Sequence, residues 1–213
     1  MNDLESRLYN VELETREAED GSGAIKGSPI VFNSRADLGC FDEIIDSGAL
    51  DGTDLNDVRF CLNHDTSYVY ARSRRNNPNS TMRLQKTENG LDIEADLALK
   101  ESPKARDLFS AIKRRDIDKM SFMFSVDEEK WEDLESDHPT RHIIKIGSVV
   151  EVSAVTFPAY DSTSINARSN SDVLERARLE VETAIQQTRE NNSADAEREL
   201  ALAKAKYHFK SNY

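Results

Sequence analysis

Cysteine is nearly absent: Cys40 and Cys61 are the only two in 213 residues, and neither belongs to a Cys-x-x-Cys pair. That excludes a disulfide framework and a cysteine-built zinc site, the devices on which small secreted and metal-stapled folds rely. Long apolar runs are absent too. No stretch approaches the roughly 18 apolar residues of a membrane helix, and the opening residues mix charge with apolarity where a signal peptide would have an apolar core. The expected setting is therefore the interior of a cell. Positive charge is scarce, with 28 Lys and Arg against 40 Asp and Glu for a net charge of -12. A phosphate-backbone binder is not expected from such a balance, because nothing resembles a basic patch interleaved with aromatics. Glycine and proline both vanish after Pro158. At 38% hydrophobic and 32% charged, the chain has material for one modest core with an appendage, and full-length disorder is not expected.

Period-two alternation over residues 9–15, the turn run Glu19-Asp20-Gly21-Ser22-Gly23 and an apolar return over residues 24–32 predict an opening hairpin. Residues 41–50, with Ile44, Ile45 and Leu50 around Gly48, predict an irregular loop or short helix on a sheet. Residues 58–64 predict a strand with Phe60, Leu62 and His64 on one face and Cys61 and Asn63 on the other. A second hairpin is expected from strands at 81–85 and 91–97 joined at Glu88-Asn89-Gly90, after an exposed loop over 72–80. The clearest helix follows. Ser102 is placed to cap it and Pro103 to start it, and Ala105, Leu108, Phe109 and Ile112 recur at helical spacing. Strands are expected again at 119–126 and at 142–157, the second broken near Gly147, with an acidic hairpin or flap over 127–140 between them.

Three positions hold side chains that could do chemistry. His64 closes a strand before a polar loop, where sites are commonly built; the plainer reading is a hydrogen-bonded structural histidine. Its neighbour Asp65 could orient the imidazole if the chain turns there. Ser121 alternates with Met120 and Phe122, which also fits an ordinary half-buried strand. A serine hydroxyl attacks an amide only with an imidazole in reach and an acceptor behind that imidazole. Glu151 lies among Val149, Val150 and Val152, where an ionised carboxylate is costly without a partner. Its partner could be a histidine, or an arginine such as Arg106 or Arg141, or water at a sheet edge.

The order Asn63-His64-Asp65, then Met120-Ser121-Phe122, then Glu151-Val152-Ser153 running on through Val155-Thr156-Phe157-Pro158-Ala159-Tyr160, resembles the prohead (procapsid) maturation proteases of tailed bacteriophages. Val31-Phe32-Asn33-Ser34 and residues 41–49 look like that family's N-terminal segments, so the resemblance covers about residues 5–165. It implies an α+β fold similar to the herpesvirus assemblins, with a mostly antiparallel β-barrel core and surrounding helices. It implies a serine endopeptidase that cleaves the major capsid protein or a scaffolding protein, and itself, inside the assembling procapsid in the bacterial host cytoplasm. Ser121 would be the nucleophile, His64 the base and Glu151 the third member. Assemblins use a second histidine there, which makes His142 the rival. No metal or organic cofactor is expected, and neither a nucleic acid nor a membrane partner, while self-association is possible. Two departures bear on the cleft: Met123 stands where the family often has Gly after the Ser-Phe pair, and Ala71-Arg72 where it often has Gly-Arg. The competing readings are a catalytically silent capsid-associated scaffold or docking module on the same fold, and a metal-dependent hydrolase built on His64, Asp65 and His142.

Beyond about residue 165 the character changes. Residues 166–213 hold eight basic and eight acidic side chains, so the net -12 lies wholly in the first part. Leu174, Ala177, Val181, Ala184 and Thr188, then Ala196, Leu200, Ala203 and Tyr207, space at three and four and predict two amphipathic helices with a narrow apolar stripe. The expected organisation is a protease domain over 1–165 and a helical tail over 166–213 that docks on a helical partner or a second copy and is later cut away, or else folds back to complete the barrel's helical shell.

Overall fold

The computed structural model describes residues 4–9, 13–19, 21–156, 170–179 and 181–183. The chain divides into two compact units, Met1–Arg168 and Ser169–Tyr213. In the second unit residues 170–179 and 181–183 are helical, as the spacing of Leu174 and Ala177 predicts. A polar linker is expected over 162–171; its last two residues, 170 and 171, are helical, while the rest of it, the helix after Asn192 and the Phe157-Pro158-Ala159-Tyr160 end of the third motif lie outside the described residues.

The first unit is α+β and mostly strand. In chain order it runs β1 (Leu4–Tyr9), β2 (Glu14–Glu17), β3 (Gly23–Val31), β4 (Arg35–Asp37), β5 (Asp42–Ile45), β6 (Arg59–Leu62), β7 (Ala71–Arg72), β8 (Met82–Thr87), β9 (Gly90–Leu97), α1 (Pro103–Lys113), β10 (Lys119–Glu132) and β11 (Thr140–Val155). The predicted helix forms where expected: Ser102 Oγ accepts the Ala105 N–H at 3.2 Å, and Ala105, Leu108, Phe109 and Ile112 are buried. The second predicted hairpin forms, β8 with β9, and the opening one forms with Glu14–Glu17 rather than 9–15 as its first strand, β2 with β3; together they make a four-stranded antiparallel sheet in the order β2-β3-β9-β8. Gly90 joins the second hairpin at φ 147°, and a Cβ there would meet the Ile30 carbonyl oxygen at 1.9 Å.

Several expectations change. The two ends of the strand expected over 9–15 belong to different sheets: Tyr9 ends β1, which pairs with β10, and Glu14 begins β2, which pairs with β3. Residues 42–45 are a strand, not a loop or helix, because β5 adds in parallel to the start of β11 with Ile44 beside His142. β10 runs on to Glu132, and β11 continues past Gly147, with register shifts between Met123 and Glu129 where the pair is bulged or irregular.

The second sheet holds seven strands in the order β1-β10-β11-β5-β4, with β6 on β11 and β7 on β6. Among the described residues no barrel closes, because the terminal strands β1 and β4 of that order do not pair. The sheet nevertheless curls strongly. Arg7 on β1 is registered through Phe122 to Val152 and Glu43 on β5 to Arg141, so in a flat sheet three strand spacings and eleven residues of β11, roughly 35–40 Å, would part them, yet Arg7 reaches Glu43 at 2.7 Å. One continuous apolar core joins Phe60, Phe122, Phe124 and Val152 of this sheet to Ile25, Leu91 and Ile93 of the other and to Leu108 and Phe109 of α1.

Candidate active site

β11 is the axis of the site. Along one edge it takes β10 antiparallel, with Ser121 opposite Ser153; along the other it takes β6 in parallel, with Ser153 beside Cys61 and Ala154 beside Leu62. Registered neighbours share a face, and side chains two apart on a strand do so as well. Ser121, Ser153 and Glu151 therefore line one face, while Phe122, Val152 and Phe60 turn into the core.

A continuing β6 would carry His64 onto the core face with Phe60 and Leu62, as the alternation predicts. Instead the strand ends at Leu62. Asn63 and His64 take φ values of 53° and 60°, and the Asp65 N–H closes on the Leu62 carbonyl at 3.0 Å, a turn with two consecutive left-handed residues. Asparagine is among the few side chains that accept this conformation. Its Oδ1 accepts the Thr156 N–H at 2.9 Å and the Thr156 hydroxyl at 3.1 Å, which ties the turn to the end of β11. The turn carries the imidazole to the opposite face.

There His64 Nδ1 stands 2.6 Å from Glu151 Oε2, and His64 Nε2 stands 2.7 Å from Ser121 Oγ. The other Glu151 oxygen accepts the Ser153 hydroxyl, and that hydroxyl in turn accepts the His64 backbone N–H at 3.0 Å. Glu151 is 1% exposed and Ser153 wholly buried, so the carboxylate meets its acceptor needs through the imidazole and a serine, away from water. A carboxylate on Nδ1 fixes the imidazole with its proton there and leaves Nε2 directed at the hydroxyl. Ser121 Oγ also donates to the Arg7 carbonyl of β1 at 2.8 Å, and Ser121 is only 4% exposed.

The other candidates lie elsewhere. Asp65 is exposed, and the Ser67 side chain first, then the Ser67 N–H that it accepts at 2.9 Å, hold its carboxyl below the ordinary carboxylate value. His142 Nδ1 is engaged by Asp46 at 2.8 Å and its Nε2 faces Glu132 at 3.5 Å. Neither Arg106 nor Arg141 pairs with Glu151: Arg106 donates to the Leu99 carbonyl, and Arg141 binds Glu5, Glu43 and Glu129. Arg72 is gripped by both oxygens of Asp57 at 2.6 Å. Among the described residues the grouping with metal-ligand reach is Asp37, Asp42 and His138, and it includes none of His64, Asp65 or His142. Cys61 shares the face of Ser153, but burial, with the Glu151 charge second, pushes its thiol up to about 12. It is no nucleophile at neutral pH.

Two features have no counterpart in the motif reading. Ser153 joins the Glu151 carboxylate to the His64 backbone, and in the sequence it is only the third letter of Glu-Val-Ser. The second is a buried ion cluster behind β1. Arg7 donates Nε to Glu43 Oε1 at 2.7 Å and Nη2 to Glu43 Oε2 at 3.0 Å. Arg141 adds bonds of 3.0 Å to Glu43 and 2.7 Å to Glu5, and it also binds Glu129. Burial works against the charge on both arginines, and the surrounding carboxylates outweigh it, so both guanidinium groups hold their protons more tightly than usual. Nothing in the spacing of residues 5, 7, 43, 129 and 141 announces the cluster.

A family described as caudovirus prohead serine protease matches residues 10–176 of the 213, beginning just after β1. No curated protein and no solved structure matches the chain.

Proposed function

The chain belongs to the caudovirus prohead serine protease family, and from that premise we propose that Ser121 is its nucleophile, His64 its general acid and base, and Glu151 the carboxylate that holds the imidazole. The protease role in capsid maturation comes with the family. The assignment of residues rests on one observation, the continuous chain Glu151 Oε2, His64 Nδ1, His64 Nε2, Ser121 Oγ with gaps of 2.6 and 2.7 Å.

In this reading Ser121 Oγ attacks the carbonyl carbon of a peptide bond as its proton passes to His64 Nε2. Glu151 accepts the Nδ1–H throughout and stabilises the imidazolium. The imidazolium then protonates the departing amine, and a water molecule repeats the sequence to release the acyl group. Ser153 is a positioning residue, because its hydroxyl sets both the carboxylate and the His64 backbone. The substrates are the major capsid protein or a scaffold, and the chain itself in a final step, within the procapsid in the bacterial host cytoplasm. The tail after Arg168 recruits the enzyme by docking its narrow apolar stripe on a helical scaffold or a second copy.

The test is co-expression with the cognate capsid protein, as wild type and as Ser121→Ala, with the termini of every product read by mass spectrometry. Defined new termini in the wild type alone support the reading; identical products in both remove Ser121 from the chemistry. The rival reading, a silent docking module, draws on the burial of Ser121. It predicts a well-folded chain in which no form cleaves or reacts with a serine-directed probe.

A further inference from the structure

We infer that the edge of β10 beside Ser121 is where the extended substrate backbone docks, and that β1 is the resting occupant of that place. This rests on the assignment of Ser121 as nucleophile and adds what the site accepts and what must move first.

Four observations carry it. β1 pairs antiparallel along residues 120–125 of β10, with Leu8 directly opposite Ser121. A carbonyl under attack must come within about 3–3.5 Å of the nucleophile, and the space beside Ser121 Oγ is already held by the Arg7 carbonyl at 2.8 Å. The hydroxyl has one hydrogen and two acceptors, His64 Nε2 and the Arg7 oxygen. While β1 is in place the Arg7 carbonyl competes for the proton that the base must take. Lastly, the family match begins at residue 10, so the strand that covers the nucleophile lies outside the matched segment.

Without β1 the edge of β10 presents unpaired backbone donors and acceptors, which is a template for adding a strand. Its partner by chemistry is an extended segment of polypeptide, recognised mainly through main-chain hydrogen bonds and so tolerant of sequence. What keeps β1 in place is the grip of Glu43 on Arg7 and of Arg141 on Glu5.

A reversible lock tests this in the full chain. Ser6 and Met123 are directly opposed across the β1–β10 pair, and opposed residues of an antiparallel pair fall within the Cα separations that a disulfide bridges. Ser6→Cys with Met123→Cys, in a Cys40→Ser background, is oxidised, the bridge verified by mass, and labelling of Ser121 by a biotinylated fluorophosphonate timed before and after reduction. The expected result is a rate at least ~10-fold lower in the bridged form and restored on reduction, since reactivity scales with the competent fraction. A second variant works in the opposite sense: Arg7→Met with Glu43→Gln, which loosens β1 without stranding a charge on Glu43, labels faster than the wild type. Equal rates for the bridged and reduced chains overturn the proposal. A folded chain that labels at Ser121 in no form refutes the nucleophile assignment instead, and the proposal falls with it.

Discussion

Ser121→Ala removes the proposed nucleophile and the partner of His64 Nε2 together, and His64→Ala removes the proposed base between Ser121 and Glu151. Each single change is expected to lower kcat on the order of 10⁶-fold, and the double variant no further, because the residues act as a unit. Glu151→Gln keeps the shape but not the charge behind Nδ1, for a loss of about 10⁴-fold. Steady-state cleavage of a capsid-derived peptide checks the set, and losses that multiply in the double variant contradict it. Ser153→Ala strands one oxygen of a buried carboxylate and the His64 N–H together. Each unsatisfied buried group costs about 1–3 kcal/mol. Urea unfolding should show a loss of that order, with kcat reduced while KM is held; an unchanged kcat would make Ser153 purely structural.

At the level of elements, the turn after β6 decides which face the imidazole takes. Asn63→Val puts a β-branched side chain at a φ of 53°, a conformation that costs roughly 1–2 kcal/mol, and removes the acceptor for Thr156. The expected outcome is a folded protein with little activity, whereas Asn63→Gly retains more because glycine accepts the left-handed turn. Comparing kcat and the thermal midpoint of the two variants checks this. β1 is the other element with its own prediction. Burial works to raise the Glu5 pKa, but the Arg141 hydrogen bond and the charges of Arg7 and Arg141 outweigh it and hold it below the ordinary 4.5. A lowered folded value gives stability that is present above pH 4.5 and lost as the pH falls through the folded value. Acid should therefore loosen β1 first, which amide exchange along residues 4–9 would show against unchanged protection in β9. Glu5→Gln should flatten that dependence.

For the whole molecule, the two compact units and the charge asymmetry between them lead to a separable prediction. Ending the chain after Arg168 should leave the thermal midpoint and the labelling of Ser121 nearly unchanged while abolishing incorporation into procapsids. Unfolding or aggregation of the truncated chain would instead make residues 169–213 part of the first unit's core, and the recruitment idea would fail. Family membership extends to residue 176, so a second truncation there separates loss of the family segment from loss of the tail.

The local elements were legible because their causes are local. The Ser102 cap, the Pro103 start and the four apolar positions of α1 lie within one segment, and the hairpin of β8 and β9 is set by turn residues between two strand-like runs. The motif order around His64, Ser121 and Glu151 pointed to the family and to three side chains that the fold brings within hydrogen-bond reach. Tertiary structure decided the rest. The parallel seating of β5 and β6 on β11, the change of sheet between β1 and β2, and the Arg7, Glu43 and Arg141 cluster depend on which strand edges meet, and no periodicity encodes that. His64 reaches the face of Glu151 only through a left-handed turn that breaks the alternation of its strand. Ser121 is covered by a carbonyl 114 positions away, because a strand edge pairs with whichever backbone the fold delivers to it, and backbone hydrogen bonding carries no trace in the pattern of side chains.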